Sequence, residues 1–208
     1  MDDTFRIQER RPASMDLAAR ASALQKQAHG VIRQLQLQER WGEVGEVTFS
    51  GSSQFGLMVT PNIDMEVYTD QPRPSAGFQV IAGIAEIPGV RRVRFKNQLD
   101  DLEDPGLFWW IQYRDQLGQD WSIDTWLVPS DHPFAMASAR FAEAMRDKLD
   151  DPSRRTILQI KHEIRCRDLD TRSIEIYKAV LRDGVSTSEQ FERWLAEHPP
   201  KKLEDWMP

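Results

Sequence analysis

Apolar and polar residues alternate along this chain with two different periods, and the places where the period changes divide it into regions. From Leu17 to Trp41, the apolar residues Leu17, Leu24, Ala28, Val31, Ile32, Leu35 and Leu37 recur near the helical spacing among Arg, Gln and Lys. The pattern predicts a long amphipathic helix with an interruption near Gly30, ended by Gly42 and Gly45. The period then shortens to two. Glu46 to Ser50 reads as a short strand running into Gly51-Ser52-Ser53, and Ser53 to Val59 as a short helix stopped by Thr60 and Pro61. Ile63 to Thr69 is the next strand, with Ile63, Met65 and Val67 alternating against Asp64, Glu66 and Tyr68.

Gln71 to Gly77 carries Pro and Gly and reads as a loop before a helix over Phe78 to Ile87. Val90 to Gln98 alternates as a half-buried strand, with Arg92, Arg94 and Lys96 on one face. Phe108 to Arg114 and Trp121 to Val128 are two more strands, joined as an antiparallel hairpin by a turn containing Gly118. From Pro133 the helical period returns over Phe134 to Leu149, Ser153 to Arg167, Thr171 to Arg182 and Ser186 to Glu197, the last with Ser186 as cap and Glu189 three residues on. The fold class expected is α+β, a mixed sheet of about five strands flanked by helices, with a C-terminal helical region. The expected divisions are a polar leader over 1–16, an α/β domain over 17–132, the helical region over 133–198 and a loosely held tail over 199–208.

Bulk composition narrows the partners. The chain has 208 residues, 40% hydrophobic and 29% charged, as a folded globular body requires. A net charge of -6 without any run of Lys and Arg argues against tight binding of long duplex nucleic acid, which needs many cationic contacts. A small phosphorylated substrate remains open. The single cysteine, Cys166, excludes an intramolecular disulfide and a cysteine zinc site and fits a cytoplasmic, reducing compartment. It is expected to be buried or semi-buried on its helix. Neither a secretory signal nor a run of about 20 apolar residues is present, so no membrane partner is expected.

The chemistry concentrates between Phe49 and Val67. Positions two apart on a strand share a face, so Asp64 and Glu66 project together while Ile63, Met65 and Val67 enter the core. Two adjacent carboxylates repel unless a cation lies between them. Mid-strand Asp124, chosen over Asp115, Asp120 and Asp131, adds a third hard oxygen donor if its strand joins the same sheet. Magnesium suits such ligands, and two ions about 4 Å apart can activate a hydroxyl and steady a leaving pyrophosphate. Gly51 lets a phosphate approach the backbone, and Ser52 and Ser53, opening a short helix, can donate to it.

Phe49-Ser50-Gly51-Ser52-Ser53, followed after eleven residues by Asp64-Met65-Glu66 and later by Ser122-Ile123-Asp124-Thr125-Trp126, resembles the core motif of the DNA polymerase beta-like nucleotidyltransferases. The resemblance covers roughly Glu46 to Val128 and is to a small prokaryotic-type domain. It implies a nucleotidyltransferase fold and transfer of a nucleoside monophosphate from a nucleoside triphosphate such as ATP to an unidentified acceptor, with Mg2+ or Mn2+ on Asp64, Glu66 and Asp124. It also implies phosphates held by Gly51, Ser52 and Ser53, and a helical region that walls the cleft and selects the acceptor. A rival of another class is the same fold without turnover, acting through a protein partner as in toxin–antitoxin pairs. A plain α/β protein whose carboxylates never meet is the third reading.

The remaining signals are weaker. Arg92, Arg94 and Lys96 read first as a solvated strand face and second as triphosphate neutralisers. Trp109, Trp110, Trp121 and Trp126 read first as core or sheet cover, with Tyr68, Tyr113 or Trp126 available to stack on a base. Arg155 and His162 resemble the pair of helical ribonuclease domains, but Thr156 replaces the usual polar neighbour, and a charged helix produces such a pair by composition alone.

Overall fold

The computed structural model describes residues 16–167, 169, 171–200 and 206–208; nearly all of the polar leader lies outside them. Asp16 caps the first helix, α1 (Leu17–Gln34), by accepting from the amides of Ala18 and Ala19. The break expected at Gly30 falls instead at Gln36, which is left-handed at φ 52° and starts the short α2 (Leu37–Gly42). Leu35 and Leu37 explain the position. Two residues apart, they point about 200° apart on a continuous helix, yet both are fully buried, and the turn at Gln36 brings them into the same core. Gly30 has open space around it and needs no break.

The strands are β1 (Glu46–Ser50), β2 (Asn62–Thr69), β3 (Val90–Asn97), β4 (Leu107–Arg114) and β5 (Asp120–Pro129), in one sheet of order β1-β2-β5-β4-β3. Among the described residues β2 and β5 pair in parallel and the other pairings are antiparallel. The β4–β5 hairpin forms as expected, with Gly118 at φ 81° in its turn. The α4 helix (Pro74–Ala85) begins inside the stretch expected to be loop, because Pro74 takes the first helical position, where its missing N–H is not needed. Strand β3 is bulged between Val90 and Arg92, so Val90 joins Val93 on the packed face.

One face of the sheet carries Ile63, Met65, Ile111 and Ile123, all fully buried against α1, α2 and α4. The helices α5 (Pro133–Lys148), α6 (Asp151–Cys166), α7 (Ser173–Leu181) and α8 (Ser188–Glu197) form a second core. Phe55 and Leu57, which flank the end of the short α3 (Ser52–Phe55), are buried in it. The architecture is the expected α+β one, a five-stranded mixed sheet with helices and a C-terminal helical region. Thr187, rather than Ser186, caps α8, while Ser186 bonds the Gln190 side chain. Trp206 packs on Phe141, with ring centroids 6.1 Å apart.

Candidate active site

The parallel pairing of β2 and β5 decides the site. Register places Asp64 opposite Asp124 and Asn62 opposite Ser122, and Asp64 also faces Ser50 on β1. Neighbouring strands lie about 4.8 Å apart, so the two aspartates are immediate neighbours, and the Asp124 charge acts on Asp64. Asn62 Nδ2 donates to Asp64 Oδ1 at 2.7 Å, and the same side chain bonds Asp124. Ser122 Oγ donates to Asp124 Oδ1 at 3.3 Å and accepts from Trp110 Nε1 at 2.6 Å. Glu66, one row along, takes the Ser50 hydroxyl on Oε1 at 2.8 Å. Its Oε2 is buried without a partner.

These carboxyls are held in conditions that penalise charge. Burial pushes Asp64 up to about 6, with the Asp124 charge adding to it. Burial likewise raises Glu66 to about 7, against the Ser50 hydrogen bond, and raises Asp124. Among the described residues no three acid, His or Cys side chains converge as a ready-made metal cage. The hydrogen bonds give the reason: repelling carboxylates turn to neutral donors, Glu66 to Ser50 and the two aspartates to Asn62. The donor set nevertheless fits a hard divalent cation, since Glu66 Oε2 is an orphaned acceptor beside two carboxyls whose charged form burial disfavours and a cation would favour.

The glycine turn meets the acids directly. Gly51 sits at φ 67°, and a Cβ there would collide with the Asp64 carboxylate, so only glycine allows this approach. The chain that follows it is clamped: Gln25 Nε2 donates to the Ser53 carbonyl at 2.6 Å, Arg154 to the Phe55 carbonyl, and Lys161 Nζ, which also lines the cleft, to the Leu57 carbonyl at 2.8 Å. The Ser53 hydroxyl is fully buried and donates to Ser50 at 3.1 Å, whereas Ser52 lines the cleft.

That cleft has a volume of about 670 Å³, with Gly51, Asp64, Trp110 and Ser122 on the sheet side and Lys161, Arg165 and Ile176 from the helices opposite. Lys161 was not legible as a site residue. Burial lowers it to about 8, opposed by the Asp64 carboxylate. The signal was a lone charge within the buried stripe Ile157, Ile160 and Ile164 of α6. Asn62 was missed because nothing local announces which strand will lie alongside.

Other expected candidates separate. Tyr113 is fully buried on the packed face and Tyr68 is buried with its hydroxyl against Ser138, so neither presents a ring for stacking. Trp109 and Trp121 are core, whereas Trp110 and Trp126 are half-buried on the cleft face. Asp115 closes the hairpin turn and Asp120 pairs with Arg114, which leaves Asp124 beside Asp64. Cys166 is exposed, contrary to expectation, because it lies two residues beyond buried Ile164 and thus on the opposite side of α6. No helix among the described residues is long and apolar enough to cross a membrane.

No protein-family model matches the sequence, and no curated protein does. Solved structures do match. The Cid1 poly(U) polymerase bound to MgATP superposes at TM-score 0.56 with 18% identity over 76% of this chain and 50% of its own. A cytoplasmic RNA terminal U-transferase superposes at TM-score 0.53 with 16% identity, over 79% of this chain and 53% of its own. The chain spans about half the length of either, and what it shares with them is the nucleotidyltransferase fold.

Proposed function

We propose that this protein is a metal-dependent nucleotidyltransferase, a small prokaryotic-type version of the fold, acting in the cytoplasm. It transfers a nucleoside monophosphate from a nucleoside triphosphate to an acceptor hydroxyl and releases pyrophosphate. The observation that carries the reading is the pair Asp64 and Asp124, side by side and bridged by Asn62, where the Gly51 turn opens onto a cleft with a buried lysine opposite. The names of the two superposed structures make an RNA 3′ hydroxyl and UTP the first acceptor and donor to try beside ATP.

Each group has a task. Asp64, Glu66 and Asp124 hold Mg2+ or Mn2+, which when bound neutralises the triphosphate and makes the acceptor hydroxyl easier to deprotonate. The amides of Ser52 and Ser53 and the Ser52 hydroxyl receive phosphate oxygens at the turn, and Lys161 and Arg165 face them across the cleft. Asp124, held by Asn62 and Ser122 and made a stronger base by burial, takes the acceptor proton. The acceptor oxygen then bonds to the α-phosphorus as the bond to the β-phosphate oxygen breaks, and pyrophosphate departs with that electron pair. Buried carboxyls without full partners destabilise a fold, which supports a working site over a catalytically silent binding protein.

The test is pyrophosphate release by the purified chain with each of the four nucleoside triphosphates, Mg2+ or Mn2+, and a short RNA. Release that needs metal and disappears in Asp64→Asn is expected. No release with any triphosphate, together with no metal-dependent triphosphate binding by calorimetry, would overturn the reading.

A further inference from the structure

The face of the sheet that holds the acids continues past them. Register lines up Asp64, Asp124, Trp110 and Arg94 across β2, β5, β4 and β3, and the flanking rows end in Arg92 beyond Gln112 and Lys96 beyond Phe108. All of these side chains share one face. Phe108, Trp110 and Trp126 are only half-buried there, and among the described residues no helix packs on them as α1, α2 and α4 pack on the opposite face, the α6 and α7 side chains standing across the cleft from Trp110. Phe108 and Trp126 pack ring on ring at 4.8 Å, and the Arg94 guanidinium lies over Trp110, 4.9 Å from its centroid.

The three cations are exposed and stand on the edge strand. Their cross-strand neighbours are Gln112, Trp110 and Phe108, none of them acidic. Among the described residues no ion pair joins Arg92, Arg94 or Lys96 to a carboxylate, although Arg114 one strand in and Arg167 on the helical side are both paired. An acidic chain thus keeps unneutralised positive charge at one end of a row that ends in the catalytic acids. The row spans roughly 14 Å at normal strand spacing.

We propose that this open face is the track for a single-stranded polynucleotide acceptor, a reading that rests on the proposed transferase site. Arg92, Arg94 and Lys96 contact backbone phosphates, the Trp110 and Phe108–Trp126 rings give faces on which bases stack, and the strand's terminal hydroxyl reaches Asp124. Flat rings beside backbone cations suit unpaired bases, whose faces are free, and not a duplex, whose bases are already stacked. The acids at the inner end repel phosphate until metal is bound, which confines phosphate contact to the outer end.

The probe is a fluorescently labelled oligoribonucleotide of about a dozen residues, single-stranded or annealed to its complement, in anisotropy titrations at several salt concentrations. Metal-dependent triphosphate binding is measured in parallel by calorimetry. The single strand is expected to bind more tightly than the duplex. The combined Arg92→Ala, Arg94→Ala, Lys96→Ala variant, altered only at exposed edge positions, should lose at least about tenfold in affinity and flatten the log–log salt slope by about 2, at roughly 0.7 per phosphate contact. Its triphosphate binding should be unchanged. Trp126→Leu should weaken single-strand binding with the salt slope kept, a split that general loss of structure would not give. The track is overturned if the triple variant binds the single strand as the wild type does, if the wild type fails to bind it while binding triphosphate, or if duplex binds equally well. Strand binding without any metal-dependent triphosphate binding would sink the transferase reading and leave the surface assignment standing.

Discussion

The two faces of the sheet are built by the same strands from residues one position apart, and they follow opposite rules. On the packed face, Ile63, Met65, Ile111 and Ile123 are fully buried among other apolar groups. On the cleft face, Asp64, Glu66 and Asp124 sit half-buried with their acidities weakened by desolvation, and a Glu66 oxygen lacks any partner. A face selected only for stability would replace such carboxyls, since burying an ionisable group without full partners costs more than burying a neutral polar atom. The packed face also leaves polar atoms without partners, but they are the neutral Trp41 Nε1, Trp109 Nε1, Tyr113 hydroxyl and Thr125 hydroxyl, so the contrast teaches that the fold keeps its burial-weakened carboxyls together on the other side, as functional sites do.

Neighbouring residues on β5 give the sharpest way to break that comparison. Asp124→Asn is expected to slow pyrophosphate release at least ~1000-fold, near 4 kcal/mol in barrier, with the melting temperature unchanged or raised. Ile123→Ala, one position away, should lose roughly 3 kcal/mol of stability while turnover per folded molecule stays close to normal. Activity and thermal denaturation, measured on both, separate the faces; two variants that behaved alike would erase the distinction.

Lys161→Met comes next. It removes the cation facing the turn, so the triphosphate KM should rise about tenfold or more, at least ~1.4 kcal/mol, with a smaller change in kcat. Equal KM values would remove Lys161 from the triphosphate site.

The pH dependence sharpens the same point. Asp64 and Glu66 rise from ordinary values of 3.8 and 4.5 to about 6 and about 7 on folding, so between these limits the folded state binds the extra protons. Their contribution to stability is therefore fully present below about pH 4 and is lost as the pH climbs through 7. Divalent cation should offset that loss, so Mg2+ should raise the melting temperature more near pH 8 than near pH 5. An equal shift at both would contradict the placement of metal on these carboxyls.

Much of this was legible in the sequence because it is local. Alternation with period two put Asp64 and Glu66 on one face and Ile63, Met65 and Val67 on the other, and the glycine turn before them reads from a few residues. What was not legible depends on partners distant in sequence. Asn62 matters only because β5 pairs with β2 in parallel, and Lys161 only because α6 packs over the turn. Tyr113 misled because Phe108 to Tyr113 is apolar or aromatic at all but one position, so period two gives no contrast between its faces. The helix break was readable in principle from Leu35 and Leu37, but glycine is the louder breaker signal. The smallest predicted effect tests that account: Gln36→Gly should stabilise the chain by about 0.5 kcal/mol by relieving the left-handed backbone.

The central claim is that Asp64 and Asp124 share a cation with a nucleotide. Manganese answers this most directly, through its anomalous scattering in crystals grown with a non-hydrolysable triphosphate. The account predicts a manganese peak between the Asp64 and Asp124 carboxylates, with Glu66 turned away from Ser50 to join it. Nucleotide bound with no manganese at those oxygens, or manganese held elsewhere with the two aspartates still bonded to Asn62, would contradict it.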